Sequence, residues 1–324
     1  MNESIVSKIL LATDFSTSAD LAQVYTEYLA VALKASVIVL HVSEHPPSPE
    51  GAMNEEDIQT RLRTLQDKMG ERAVPVSIQR SMGNAGDQIL SAAHRADADV
   101  IAMGMQGHTH VPYGLIGATA HTITTSGPCP VLTVPLPGKE ASPCVYITPD
   151  AVEVRRILAP VDFSDPSLDS LECAIHIAHG LRADLVLLHV LDPLNVDWDL
   201  HRMQGAAQMR DQWETRLGHL AGVINSLGLS ATYEIRTGFP PDSILACTLQ
   251  ERCDLIVMGT HGRRGRERMN VGSVAEAVLK QATCPVLTVK HPKFPGRVRS
   301  AIATVLSQGS EKAATEIGSL NTKT

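Results

Sequence analysis

The chain lacks several features that would settle its class at once, and each absence narrows the reading. No apolar run reaches the roughly 20 residues of a membrane span. The most apolar long stretch, 21–42, is interrupted by Glu27 and Lys34. The apolar run before Asp14 is too short for a secretory signal, so a cytoplasmic protein is expected. Positive charge is not in excess: 28 Lys and Arg stand against 35 Asp and Glu, a net charge of −7. That balance argues against a general nucleic-acid or membrane-surface binder. The six cysteines, Cys129, Cys144, Cys173, Cys247, Cys253 and Cys284, form no C-x-x-C pair and no Cys/His metal spacing. In a reducing compartment they are expected to pack as small hydrophobes. His108, His110 and His121 have no fixed third ligand nearby, so no metal site is expected on protein side chains alone.

The familiar catalytic and nucleotide motifs are missing too. The first apolar strand is followed by T-D-F-S and not by the G-x-G-x-x-G of a dinucleotide site. There is no G-x-x-x-x-G-K-[ST] phosphate loop and no G-x-S-x-G nucleophile elbow. Nothing pairs a nucleophile with a base, and no catalytic residue is assigned.

What is present is one domain written twice. At 324 residues with 44% apolar content, the chain suits two globular domains of about 150 residues each. KILLATDFS (8–16) matches RILAPVDFS (156–164), and ASVIVLHV (35–42) matches ADLVLLHV (183–190). ADVIAMGMQGH (98–108) matches CDLIVMGTHGR (253–263), and CPVLTV occurs at both 129–134 and 284–289. Lys8 aligns with Arg156 and Cys129 with Cys284, offsets of 148 and 155 residues. The second copy therefore carries about seven extra residues, placed in the loop or helix after its second strand.

Within each copy short runs of Val, Ile and Leu alternate with stretches of helical period. The runs 8–13, 36–42, 74–80, 98–103 and 129–134 read as strands, with helices at 17–34, 54–71, 84–96 and 117–126. The second copy has strands at 156–161, 184–190, 230–236, 254–258 and 284–289, and helices near 166–181, 202–227, 241–251 and 272–282. Asp165 before Pro166 reads as a helix N-cap with proline at the first helical position. The expected fold is α/β, two tandem open five-stranded parallel sheets covered by helices on both faces. The expected division is a first domain over 1–137, a proline-rich linker over 138–153, a second domain over 154–291 and a tail over 292–324. A short helix at 298–306 is expected within the tail.

Ligands of open parallel sheets bind beyond the carboxyl ends of strands, where strand order reverses. Each copy places two features there: the Asp closing its first strand, Asp14 or Asp162, and the glycine loop closing its fourth. The alternative reading of both aspartates is a plain cap. In the second loop Gly259-x2-Gly262-x9-Gly272-Ser273 surrounds Arg263, Arg264, Arg266 and Arg268 and opens a helix. Glycines let a backbone approach phosphate, and a helix start offers unpaired N–H groups and the positive dipole end. His41 and His189 close the second strands and read as packed or hydrogen-bonded groups.

This glycine pattern, in register with P-V-D-F-S, the strand-ending H-V and the trailing C-P-V-L-T-V, resembles the universal stress protein family in tandem form. The resemblance implies a fold related to the adenine nucleotide alpha hydrolases and ATP, or ADP or AMP, held with Mg²⁺. In the second domain it implies Pro160, Val161, Asp162, Val190, Met258, Gly259, Gly262, Gly272, Ser273 and Val274 as the site, joined by Arg263 from the loop. The first copy departs from the pattern. Gly104-x2-Gly107-x9-Gly117 keeps its spacing, but Ala118 stands where Ser273 does, Thr119 follows, and the loop HTHVPYGLI has no Lys or Arg. A weaker or vestigial site is expected there, on Thr13, Asp14, Val42, Met103, Gly104, Gly107, Gly117, Ala118 and Thr119. The resemblance also implies a stress-response signalling module with a regulatory protein partner. The fifth strands would pair to make one chain a pseudo-dimer, and a homodimer of chains is the further option. Two rival readings stand beside it: a slow ATPase or adenylyl-transfer enzyme, and a nucleotide-free scaffold.

Overall fold

The computed structural model describes residues 6–43, 53–107, 115–136, 149–193, 203–262 and 271–290, without the side chains of 203–209. The loop arginines 263, 264, 266 and 268, His108, His110, Cys144 and the helix expected at 298–306 lie outside them.

The first repeat runs β1 (Lys8–Thr13), α1 (Thr17–Leu33), β2 (Ser36–Ser43), α2 (Glu55–Glu71), β3 (Val76–Met82), α3 (Ala85–Ala96), β4 (Val100–Gly104), α4 (Ala118–Ser126) and β5 (Val131–Val134). The second runs β6 (Arg156–Pro160), α5 (Asp165–Leu181), β7 (Asp184–Leu191), α6 (Met203–Ser226), β8 (Ala231–Thr237), α7 (Pro240–Gln250), β9 (Leu255–Gly259), α8 (Ser273–Gln281) and β10 (Val286–Val289). The alternation read from the sequence is that of the protein. The fifth strands begin two residues later than expected, because Pro130 and Pro285 have no N–H to give the ladder. Their carbonyls still accept, from Ile101 N at 3.0 Å and from Ile256 N at 3.1 Å.

One sheet of ten strands results, in the order β3-β2-β1-β4-β5-β10-β9-β6-β7-β8. Pairing is parallel throughout each half and antiparallel only where β5 meets β10. Leu132 faces Leu287 there, and the Oγ1 groups of Thr133 and Thr288 donate across to Val286 O and Val131 O at 3.2 and 3.3 Å. Each fifth strand would otherwise offer a fully buried-type edge, VLTV, to solvent or to another chain.

The central strands are apolar on both sides because both faces are covered. Ile9 and Leu11 pack with α1 and α2, while Leu10 and Ala12 pack under α3 and α4. In the second half Ile157 and Ala159 face α5 and α6, and Leu158 faces α7 and α8. The core on the α1/α5 side is continuous through both halves, and Leu33 of α1 reaches Gly180 of α5. The described cysteines are free thiols; Cys129, Cys173, Cys247 and Cys253 are buried in these layers. Burial pushes the thiols of Cys247, Cys253 and Cys284 up to about 12, so they stay protonated. No helix among the described residues is long and apolar enough to cross a membrane.

The stretch before β6 packs instead of hanging free. Pro149–Ala151 forms a turn of 3-10 helix, Val152 and Val154 are buried, and Val154 N donates to Tyr28 Oη at 3.1 Å. Arg72 clamps it: Nε lies 2.7 Å from Glu27 on α1 and Nη2 lies 2.5 Å from Asp150. The Glu27 side chain is 4% exposed. Burial holds its carboxyl above the usual range, and Arg72 pulls the other way. Removing Arg72 would leave a carboxylate in a dry site without its cation. We predict that Arg72→Ala costs about 3 kcal/mol near neutral pH. A raised carboxyl destabilises the fold only when ionised, so this cost should shrink as pH falls and Glu27 takes up a proton. Urea midpoints of wild type and variant at about pH 8 and about pH 5 check both the size and the sign.

Candidate functional site

In each half the strand order reverses between the first and fourth strands, which are neighbours: β1 pairs with β4 and β6 with β9. The chain leaves β1 toward β2 on one side and leaves β4 toward β5 on the other. The two connections diverge and a crevice opens between them.

The connection after the first strand is a tight polar turn. Asp162 Oδ1 accepts from Ser164 N at 2.9 Å, and Phe163 takes the left-handed conformation with φ 61°. Asp14 and Phe15 repeat this, with Ser16 N donating to Asp14 Oδ1 at 3.0 Å and φ 61° at Phe15. The helix caps are the serines: Ser16 Oγ accepts from Ala19 N and Ser164 Oγ from Ser167 N. Asp165, expected as the cap, is the first residue of α5, because Asp162 already bends the chain one turn earlier and leaves Ser164 at the helix boundary. The aspartates hold the turn with one oxygen and present the other to the glycine loop. A Cβ on Gly262 would stand 2.7 Å from Asp162 Oδ2, and one on Gly107 would stand 2.9 Å from Asp14 Oδ2.

The other glycines have structural duties. A Cβ on Gly259 would meet the carbonyl oxygen of Pro166 at 2.9 Å, and one on Gly104 would meet Ala19 N at 2.7 Å. Both strands thus end pressed against the first turn of the helix crossing them. Gly272 and Gly117 close their loops by donating to Thr260 O and Met105 O at 2.8 and 2.9 Å. Both then serve as N-caps with no side-chain hydrogen bond, unlike Ser16, Asn54, Asn84 and Ser164 at α1, α2, α3 and α5. The first N–H groups of α8 are left for something other than a capping side chain.

In the second half these parts enclose a cavity of about 880 Å³. Ten of the eleven residues expected from the sequence line it: Pro160, Val161 and Asp162 from the end of β6, Val190 from β7, Met258, Gly259 and Gly262 from β9 and its loop, and Gly272, Ser273 and Val274 from the start of α8. The eleventh, Arg263, lies outside the described residues. One end is polar, made by the glycine loop and the exposed first turn of α8. The wall away from the loop is made by Leu188, His189, Val190, Leu191 and Trp213, with Asp192 and Gln212 beside them. His189 is held by a 2.6 Å contact from Nδ1 to Val161 O, and Thr260 Oγ1 holds His261 Nδ1 at 2.9 Å.

Sequence reasoning did not assign Trp213, Thr260, His261 or the Pro240-Pro241 pair to the wall, though all line it. Trp213 carried one signal: it is one of two tryptophans in the chain and stands on the helix following the second strand. In the first half Thr13 and Met103 are buried, and Asp14, Val42, Gly104, Gly117 and Thr119 are half-buried. Gly107 and Ala118 are exposed, and all nine gather at the same strand ends. Here Arg61 of α2 lies over the Phe15 ring at 5.6 Å, and His41, hydrogen-bonded from Nδ1 to Thr13 O at 2.9 Å, is shifted down chiefly by burial.

Fold and crevice together define a tandem α/β protein with a topological switch point in each half and a cavity at the second. A family model, the universal stress protein family, matches residues 6–135 and 153–290, and the chain belongs to that family. A universal stress protein of Methanocaldococcus jannaschii is 34% identical over 146 residues, 43% of this chain and 84% of that one. One from Synechocystis sp. is 22% identical over 314 residues, covering 88% of this chain and all, 100%, of its own length. The crystal structure of a universal stress protein from Archaeoglobus fulgidus superposes with a TM-score of 0.67 at 21% identity, over 89% of this chain and 98% of that chain. Both of these likenesses run through the two repeats of this chain.

The two glycines at the end of the cleft differ in what a side chain would meet. We predict that Gly259→Ala, pushing a methyl into the Pro166 backbone, lowers stability by about 1–3 kcal/mol. Gly262→Ala, on an exposed loop, meets a side-chain carboxylate, that of Asp162, which can turn aside, and should cost less than Gly259→Ala, about 1 kcal/mol or below. Urea denaturation of the two variants side by side is the check.

Proposed function

We propose that the second domain binds ATP, with Mg²⁺, in this cavity, and that the bound state is the signal a cytoplasmic stress-response module passes to a protein partner. The observation carrying this reading is the pairing of chemistries in one cavity of about 880 Å³. That volume is within the usual range for small-molecule pockets. The residues present fit the group. An uncapped helix start and loop glycines that let the backbone approach a ligand suit the phosphates. The wall carrying Val190, His189 and Trp213 suits adenine, and the Asp162 carboxylate suits the ribose between them. Among the described residues no three His, Cys, Asp or Glu side chains cluster as a metal site, so Mg²⁺ would be carried mainly by the phosphates. ADP or AMP would use the same base end with fewer contacts at α8.

The first domain is proposed as the weaker site. Its loop keeps Asp14 facing Gly107, but α4 begins with Ala118 where α8 begins with Ser273. A hydroxyl donor to an anion contributes roughly 1–3 kcal/mol. Hydrolysis or adenylyl transfer is less well supported than binding, since Asp162 and His189 each commit a polar atom to holding the turn. The test is the nucleotide content of the protein as purified. Acid extraction should release about one ATP per chain, lost in Asp162→Ala and retained in Asp14→Ala. Equal loss from both variants would overturn the asymmetry. No nucleotide, with no heat stabilisation by Mg-ATP where linkage gives roughly 3 kcal/mol at a hundredfold excess over Kd, would overturn binding altogether.

A further inference from the structure

On the nucleotide reading, the loop glycines and the start of α8 would hold a phosphate whatever it is attached to. Discrimination therefore has to come from the opposite wall, where Trp213 stands. Its indole lies 5.0 Å from the Phe163 ring at 28° and 4.4 Å from the His189 ring at 37°, centroid to centroid. Both supports are fixed: Phe163 by the left-handed turn after Asp162, His189 by its bond to Val161 O. Arg216, three residues along α6, places its guanidinium 5.0 Å from the indole centroid. The aromatic surface is thus ordered before any ligand arrives, so little side-chain entropy remains to be lost on binding.

The first copy is built differently at this point. Phe15 stacks on His41 at 5.0 Å and 29°, and the side chain that the helix after the second strand brings to Phe15 is Arg61. That arginine is kept in the second copy as Arg216, T-R-L standing at 60–62 and at 215–217, and the indole of Trp213 falls where the first copy has the buried Ile58. The two copies therefore differ at their base ends as well as in their glycine loops.

We propose that Trp213, on its Phe163–His189 support, makes the second cavity selective for a phosphate ligand that carries an aromatic base over the phosphate chain alone. The proposal rests on the nucleotide reading above and adds the residue that sets its specificity. Base–aromatic contacts of this kind survive changes of base, so purines in general are accepted and sugar phosphates are not.

Equilibrium binding of ATP and of inorganic triphosphate to the full chain, each with Mg²⁺, tests it in wild type, Trp213→Ala and Trp213→Phe. Wild type should favour ATP. Trp213→Ala should weaken ATP about tenfold and leave triphosphate unchanged, and Trp213→Phe should recover most of the loss. An equal loss for both ligands would mean the indole only shapes the fold of the site, and unchanged ATP binding would mean it does not touch the base; either overturns the proposal. If wild type binds triphosphate as tightly as ATP, base selectivity alone fails. If it binds neither, the nucleotide reading fails and takes this one with it.

Discussion

Everything at the candidate site depends on how closely the fourth strand of each half lies against the helix that follows the first. Gly259 touches the Pro166 carbonyl and Gly104 the backbone of Ala19, at distances no Cβ would tolerate. That contact sets the depth at which β9 ends, and hence where the loop after it departs. The same turn presents Asp162 toward Gly262 and seats Phe163 under the aromatic wall. A hydrophobic sheet alone would leave these parts ångströms adrift; backbone-on-backbone contact fixes them, because packed interiors yield little.

The two copies share this frame and diverge on it. Their strand ends, turns and loop-closing hydrogen bonds repeat almost bond for bond, from Asp14 and Asp162 to Gly117 and Gly272. What changes is the chemistry around the cleft: Ala118 for Ser273, Ile58 for Trp213. Scaffold and recognition are separable here, as expected when function resides in sites grafted onto a fold.

The fold was legible in the sequence because the signals are local and doubled. Runs such as ILLA and ILAP need no distant information to read as buried strands, and the repeat of CPVLTV located both fifth strands. The glycine spacing and the strand-end Asp162 marked the crevice, and the family resemblance they carry supplied the other wall residues. The misreading of Asp165 shows the limit: Asp, Ser and Asp-Pro compete for one cap, and the winner was decided by a side chain two residues upstream bending the chain. Trp213 was illegible for a different reason. On an amphipathic helix a tryptophan reads as packing, and its place on the wall follows from how α6 lies across β7, a long-range contact that no spacing encodes.

The single antiparallel step, β5 against β10, has a geometrical result. Parallel strands within each half all point one way, so reversing direction at the seam sends the carboxyl ends of the two halves to opposite rims of the sheet. The two clefts therefore open back to back. The halves are joined by the seam, by the α1–α5 layer behind it, by the Lys290 Nζ bond to Thr125 O and by the stretch at 149–154 packed on α1. Such an arrangement leaves each mouth free to drift under its own selection while the shared sheet holds both halves to one fold.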